Sequence, residues 1–186
     1  MTGRFIIPDG FPCMPPTQSQ VQTSVENSLD RLLDEDRKLL VDNANERSIS
    51  HRLAVYLEQE AAEFEIDYDI DVEYNRVVTE NGTPGDFIKE VLYGQLSEEC
   101  QGRRRIRDDD TDAQTVFPDI IIHRRGSSEH NLLVIELKKT SSSRSGKCDK
   151  EKIERYHTDL GYENGLFLRL GVGEDPCIDT WDWSSR

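Results

Sequence analysis

Residues 118–138 read PDIIIHRRGSSEHNLLVIELK, and this stretch decides the fold of the chain. It holds two short apolar runs, Ile120 to Ile122 and Leu132 to Ile135, which are rich in β-branched residues. Runs of this length, bounded by turn-like sequence, are typical of buried strands. The segment between them, residues 124–130, has the glycine and serine content of a hairpin loop. The stretch therefore predicts a β-hairpin.

Three charged residues share one face of this hairpin. Because side chains alternate along a strand, Asp119, Glu136 and Lys138 lie on the same face as Ile121 and Val134. The opposite face is apolar and comprises Ile120, Ile122, Leu133, Ile135 and Leu137. Both faces are mostly apolar, which predicts a sheet covered on both sides, where a charge is costly unless it is paired or bound to a metal. A metal-dependent active site needs this arrangement.

The length of the loop predicts the register of the hairpin. A six-residue loop, residues 125–130, places Asp119 opposite Glu136 and Ile121 opposite Val134, with directly opposed Cβ atoms about 4.5–5.5 Å apart. A shift of one residue would send Asp119 and Glu136 to opposite faces of the sheet. The active-site hypothesis therefore depends on this register.

The residues Pro118-Asp119 and Glu136-x-Lys138 resemble the signature of the PD-(D/E)xK nuclease superfamily. The segments DVEYNR and PDIIIHRRG also look like small prokaryotic proteins of that superfamily, and the resemblance covers roughly residues 44–170. It implies that Asp119 and Glu136 bind Mg²⁺, for which Mn²⁺ can substitute, and that Lys138 positions the attacking water and the scissile phosphate. It also implies a further acid from the helix before the hairpin, for which Glu46 is the best match.

The three charged residues of the hairpin suit the hydrolysis of a phosphodiester. Mg²⁺ prefers oxygen ligands, and two carboxylates on adjacent strands can hold it beside a phosphate. The ion lowers the pKa of bound water and neutralises charge on the phosphate. Lys138 can reach back along its face to stabilise the anionic transition state. The competing interpretation is a structural ion pair between Asp119 and Lys138, with Glu136 solvated at the edge of the sheet.

Two further acids have two interpretations each. Glu46 lies in the first turn of a helix predicted over residues 45–64, for which Asn45 is the candidate N-cap. Glu46 lies on the side of the apolar stripe of that helix. It is either a metal ligand or a favourable charge at a helix N-terminus. Glu73 lies on the polar side of a strand predicted over residues 68–78. It either joins the acidic cluster or faces solvent.

The chain is predicted to form an extended N-terminal arm, residues 1–23, and a single α/β domain, residues 24–186, with an insertion at about residues 79–114. The expected fold is a mixed central β-sheet flanked by helices, which the resemblance makes restriction-endonuclease-like. The remaining apolar spacings predict helices over residues 24–42, 87–96 and 149–160 and a final strand over residues 165–170.

The chain has 186 residues and a net charge of -14. A strongly acidic surface opposes phosphate binding, so basic charge is either focused in one groove or supplied by a partner. Two basic clusters are candidates for phosphate contacts, with solvated loops as the alternative. They comprise Arg103, Arg104, Arg105, Arg107, Arg124 and Arg125.

Composition also bears on location. No apolar stretch approaches the roughly 20 residues of a membrane span, and no secretory signal is visible. The four cysteines lie far apart without a C-x-x-C pair. A reducing cytoplasm is therefore the expected location.

The predicted function is that of a Mg²⁺-dependent nuclease-like protein that hydrolyses DNA or RNA phosphodiester bonds, with DNA the favoured partner, within a defence or repair complex. A protein partner or a homo-oligomer is expected, and no membrane. Cutting by the isolated chain is expected to be weak or undetectable, because an intact catalytic set conflicts with the net charge of -14. Metal-dependent cutting is expected once a partner or concentrated substrate is supplied. The alternative is a non-catalytic nuclease-fold subunit that serves in binding or assembly.

Overall fold

The computed structural model of the protein describes residues 14–78, 84–88, 90–92, 96–97, 99–100, 113–115, 117–127 and 129–186. In this part of the chain the helices are α1 (Gln18–Glu35), α2 (Arg37–Val41), α3 (Glu46–Ala61) and α4 (Lys147–Asp159). The strands are β1 (Asp69–Val72), β2 (Arg76–Val78), β3 (Pro84–Ile88), β4 (Glu90–Leu92), β5 (Ala113–Thr115), β6 (Ile120–His123), β7 (Leu133–Lys139), β8 (Asn164–Leu170) and β9 (Ile178–Ser185). Among these helices, none combines the length and the apolar character that a membrane crossing requires.

Five strands form the central sheet in the order β1-β6-β7-β8-β9. β7 and β8 run parallel, and the other neighbouring pairs run antiparallel. The sheet is therefore mixed, as predicted. The hairpin of β6 and β7 has the predicted register, with Ile121 opposite Val134 and Ile120 opposite Ile135. Two smaller sheets pair β2 with β3 and β4 with β5.

Helices cover both faces of the central sheet, as the apolar character of the hairpin predicted. One face carries Ile120 and Ile135, which belong to a larger core together with the buried side chains of α1 and α3. The opposite face carries Val134, which packs in a smaller core with Ile153 and Tyr156 of α4. The alternation along β6 and β7 thus separates two cores.

α1 begins at Gln18, earlier than the predicted domain start at residue 24. The reason is a capping box between Thr17 and Gln20, in which the backbone N–H of Gln20 donates to the Thr17 hydroxyl and the backbone N–H of Thr17 donates to the Gln20 side chain. This pair satisfies two donors that a helix N-terminus otherwise leaves open. Val21 is fully buried in the larger core, so residues 18–23 pack with the domain and not as an arm.

Three predictions along the chain are corrected by backbone geometry. β1 ends at Val72 because Glu73 has a positive φ of 52°, outside the strand region, so residues 68–78 do not form one strand. The helix predicted over residues 87–96 is wrong, since β3 and β4 occupy residues 84–88 and 90–92. Short apolar segments fit either period, and pairing with β2 and β5 decides here. The strand predicted over residues 165–170 is present as β8, but it is not the final strand, because β9 follows it along the chain and pairs with it.

Cys100 and Cys148 form a disulfide, with their Cα atoms 5.1 Å apart. Ser97 reinforces the link, since its backbone N–H and its hydroxyl both donate to Glu151 at 2.9 Å. The segment that carries Cys100 is thereby attached to the first turns of α4. Because disulfides persist in oxidising environments, this pairing removes the support that the cysteine pattern lent to a reducing cytoplasm.

Replacing Cys100 by Ser is expected to destabilise the oxidised protein by up to about 4 kcal/mol, because the bond restricts an unfolded chain over a sequence separation of 48. The measurement is urea unfolding with and without a reductant. Cys177→Ser is the matched control, since Cys177 is a free and exposed cysteine. Equal stabilities of the wild type and Cys100→Ser without reductant would contradict the disulfide.

Candidate active site

The β6–β7 hairpin brings Asp119, Glu136 and Lys138 together at one end of the central sheet. Continuing the observed register by one residue places Asp119 opposite Glu136, on the face that α4 covers. The backbone N–H of Leu137 donates to Asp119 Oδ2 at 2.7 Å and holds that carboxylate against β7. Lys138 Nζ lies 4.0 Å from the same Oδ2 atom and donates to the Leu137 carbonyl at 2.9 Å. The sequence therefore predicted the shared face of these residues correctly.

Glu46 reaches the same end of the sheet from the opposite face. Asn45 caps α3, as predicted, by accepting a hydrogen bond from the backbone N–H of Ser48 at 2.8 Å. Although α3 packs against the larger core, its first turn lies where β7 ends. Glu46 Oε1 accepts from the backbone N–H of Lys139 at 3.1 Å, and Oε2 lies 3.9 Å from Lys138 Nζ. Glu46 is thus a second acid beside the Lys138 ammonium.

Three side chains of α4, which no sequence motif had indicated, complete the cluster. Asp149 Oδ2 lies 3.6 Å from Lys138 Nζ, and Asp149 Oδ1 accepts from Lys152 Nζ at 3.1 Å. Lys152 Nζ is also 3.9 Å from Glu136 Oε2. The Tyr156 hydroxyl donates to Glu136 Oε1 at 2.8 Å. Their spacing along α4, which puts them on the side of its buried residues, was the available signal.

Burial controls the ionisation of Glu136, which is only 2% exposed. Loss of hydration raises the pKa of Glu136 to about 8 against the opposing attraction of Lys152, and the negative charges of Asp119 and Asp149 add to the rise. This burial contradicts the interpretation in which Glu136 is solvated at the edge of the sheet.

The neighbouring groups respond to the same environment. Burial raises the pKa of Asp119, although the Leu137 N–H and the Lys138 ammonium oppose the rise. Burial alone would lower the pKa of Lys152, but the surrounding carboxylates outweigh it and raise the pKa. Burial and the nearby Glu136 raise the pKa of Tyr156 well above its ordinary value, so the hydroxyl stays a donor. The cluster therefore balances buried acids with ammonium groups.

The donor set suits Mg²⁺ held jointly by protein, water and phosphate. Among the described residues, no group of three His, Cys, Asp or Glu side chains is arranged to hold a metal ion. Mg²⁺ does not require such a cage, because it keeps several waters and is usually bound through one or two carboxylates and substrate phosphates. Asp119 and Glu136 would supply such carboxylates, since both are hard oxygen donors. The residues present therefore fit this ion.

Glu73 lies apart from this arrangement. Its Oε1 atom accepts from Arg47 Nε at 2.9 Å, and a second contact joins Oε2 to the same guanidinium. Its backbone N–H donates to the Pro118 carbonyl at 3.1 Å. The positive φ of Glu73 turns its side chain out of the strand alternation on which the prediction depended. A partly exposed ion pair is what the structure assigns to Glu73.

Arg125, a predicted phosphate contact, is already paired within the protein. Its Nε atom donates to Asp71 Oδ2 at 2.8 Å, and its guanidinium also lies 3.4 Å from Asp69 Oδ1. The hydrogen bond to Asp71 raises the pKa of Arg125 further. Arg124 is exposed. The other predicted contacts lie outside the described residues and are Arg103, Arg104, Arg105 and Arg107.

The structure thus joins Asp119, Glu136, Lys138 and Glu46 in one cluster, to which α4 contributes further side chains. Comparisons of the chain with protein-family models, with curated proteins and with solved structures find no match. The chemistry of the site is therefore interpreted from its own residues.

Proposed function

We propose that the protein is a Mg²⁺-dependent nuclease of the PD-(D/E)xK type, with a restriction-endonuclease-like fold, that hydrolyses phosphodiester bonds, with DNA as the first substrate to test. The observation that carries the proposal is the convergence of Asp119, Glu136 and Lys138 at one end of the hairpin. Lys138 Nζ lies 4.0 Å from Asp119 Oδ2. Glu136 is only 2% exposed. Buried titratable groups with a raised pKa cluster at functional sites.

Each residue has a role that its contacts support. Asp119 and Glu136 hold the metal ion, and Glu46 orients Lys138 from the end of α3. Mg²⁺, when bound, activates water and neutralises charge that develops on the phosphate. Lys138 directs its ammonium toward the scissile phosphate and stabilises the negative charge of the transition state. The Tyr156 hydroxyl fixes one oxygen of Glu136 and thereby its orientation.

A second candidate function is a non-catalytic subunit that binds or assembles a nucleic-acid complex. The net charge of -14 favours it, as does the pairing of Arg125 with Asp69 and Asp71. Both features weaken phosphate binding by the isolated chain. In either function, a protein partner or a second copy of the chain would supply basic surface, and weak cutting by the isolated chain is the expected behaviour.

The test is a cleavage assay on single- and double-stranded DNA and RNA with Mg²⁺, Mn²⁺ or EDTA. Cutting is expected with either metal ion and not with EDTA. Asp119→Asn should abolish it, whereas Glu73→Gln, a matched acid that pairs with Arg47 outside the cluster, should not. Cutting that survives Asp119→Asn would place catalysis elsewhere. Metal-independent binding without cutting, even at high protein concentration, would favour the binding subunit.

A further inference from the structure

Lys152 is a second lysine at the site, and the Asp119–Glu136–Lys138 set does not account for it. It enters from α4, with Nζ 3.1 Å from Asp149 Oδ1 and 3.9 Å from Glu136 Oε2. Its side chain is 29% exposed. The ammonium therefore bridges two buried acids of the site while the side chain keeps access to solvent.

The two lysines differ in their freedom to move. The Lys138 side chain is 11% exposed, donates to the Leu137 carbonyl and faces three carboxylates. Lys152 is more exposed and is held by fewer contacts, and a lysine carries its charge on a flexible four-carbon stem. Of the two, Lys152 is the one that can leave its carboxylates and turn toward a ligand.

The position of the Lys152 ammonium overlaps with the one that a divalent cation requires. It lies beside Glu136 Oε2, and Glu136 Oε1 already accepts from the Tyr156 hydroxyl. A metal ion that took Glu136 as a ligand would meet Oε2 as the oxygen without a hydrogen bond from Tyr156, and Lys152 would be its competitor there. A divalent cation and the Lys152 ammonium would repel each other if both lay beside Glu136 Oε2. This repulsion is stronger in a partly buried site than in water.

We propose that Lys152 pairs with Asp149 in the metal-free protein, lies where a divalent cation would meet Glu136 and, when such a cation takes Glu136, turns to bind a phosphate of the nucleic-acid substrate. This inference rests on the proposed function. It makes Lys152 a substrate ligand in addition to a competitor of the metal ion. An ammonium is a point charge suited to a phosphate oxygen, and its release from Glu136 links substrate binding to metal binding.

The experiment compares Lys152→Gln with Lys150→Gln in the full chain. Lys150 is a matched control because it lies on the same helix, is 47% exposed and pairs with Asp182 of β9. Mn²⁺ affinity is measured by titration calorimetry without nucleic acid. Substrate affinity is measured in Mg²⁺, at several salt concentrations, on a Lys138→Met background in which cutting is slowed. Thermal unfolding verifies that each variant is folded, and Lys152→Arg provides a charge-conserving variant.

Lys152→Gln should bind Mn²⁺ about tenfold more tightly, because a competing charge is removed. It should bind the oligonucleotide more weakly, with a salt slope smaller by about one unit. Lys152→Arg should keep the wild-type salt slope, and Lys150→Gln should match the wild type in both measurements. The proposal requires both changes in Lys152→Gln, so weaker or unchanged Mn²⁺ binding, or an unchanged slope, overturns it.

Failure of this inference is distinguishable from failure of the proposed function. If the wild type binds Mn²⁺ and cuts while Lys152→Gln behaves identically, only the role of Lys152 is wrong. If the wild type neither binds Mn²⁺ nor cuts under any condition, the proposed function fails and the role of Lys152 fails with it.

Discussion

Replacing Lys138 by Met is expected to lower the rate of metal-dependent cutting by about 10²–10³-fold, the usual cost of removing one group that stabilises charge in a transition state. Substrate binding should change little, because the proposed contact strengthens only as the reaction proceeds. The measurement is a single-turnover cleavage rate with enzyme in excess, beside a binding titration of the same oligonucleotide. A large loss in rate with nearly constant affinity is the expected result.

Lys139→Met is the control for this prediction. Lys139 is the next residue along β7, but its Nζ donates to Asn43 Oδ1 at 2.8 Å and to the Ala44 carbonyl at 2.7 Å, away from the cluster. Its removal should leave the cutting rate within a fewfold of the wild type. Wild-type cutting by Lys138→Met, or an equal loss in both variants, would remove Lys138 from the catalytic set.

Replacing Glu136 by Gln is expected to stabilise the metal-free protein at alkaline pH. The folded pKa of Glu136 is about 8 and its ordinary value is 4.5. Below pH 4.5 both the folded and the unfolded states are protonated, and stability is lost as the pH rises from about 4.5 through 8. Because one pKa unit corresponds to about 1.4 kcal/mol, the loss is up to about 5 kcal/mol. A glutamine side chain stays neutral at every pH, so the variant does not lose this stability.

Urea unfolding in EDTA at pH 5 and at pH 9 measures this difference. Glu136→Gln should match the wild type near pH 5 and exceed its stability by a few kcal/mol at pH 9. Added Mg²⁺ should stabilise the wild type at pH 9 and have little effect on the variant, because a ligand stabilises the state that binds it. Glu73→Gln, an acid outside the cluster, is the control. Parallel pH dependences of Glu136→Gln and the wild type would refute the raised pKa.

The hairpin and its charged face were predictable because they depend on short-range rules. Alternation along β6 and β7 decided which residues share a face, and a six-residue loop decided the register that pairs Ile121 with Val134. Asn45 signalled the start of α3 by its side chain alone. Asp119, Glu136 and Lys138 therefore followed from the sequence, since strand geometry leaves few alternatives for their relative positions.

Only the tertiary structure decided what meets this face. The spacing of Asp149 and Lys152 places both residues on one side of α4. The packing of α4 on the sheet decides that this side contacts Glu136. The disulfide of Cys100 likewise depends on two segments far apart in the chain.

The positions of Glu46 and Glu73 also depend on tertiary structure that the sequence did not determine. Glu46 lies on a helix of the other face yet reaches Lys138 around the end of β7, whereas Glu73 leaves the strand alternation through one positive φ and pairs with Arg47. By itself, the sequence determined the β-hairpin and the acids and lysine on its face. The folded chain decided their burial and their partners, because these depend on which distant elements pack together.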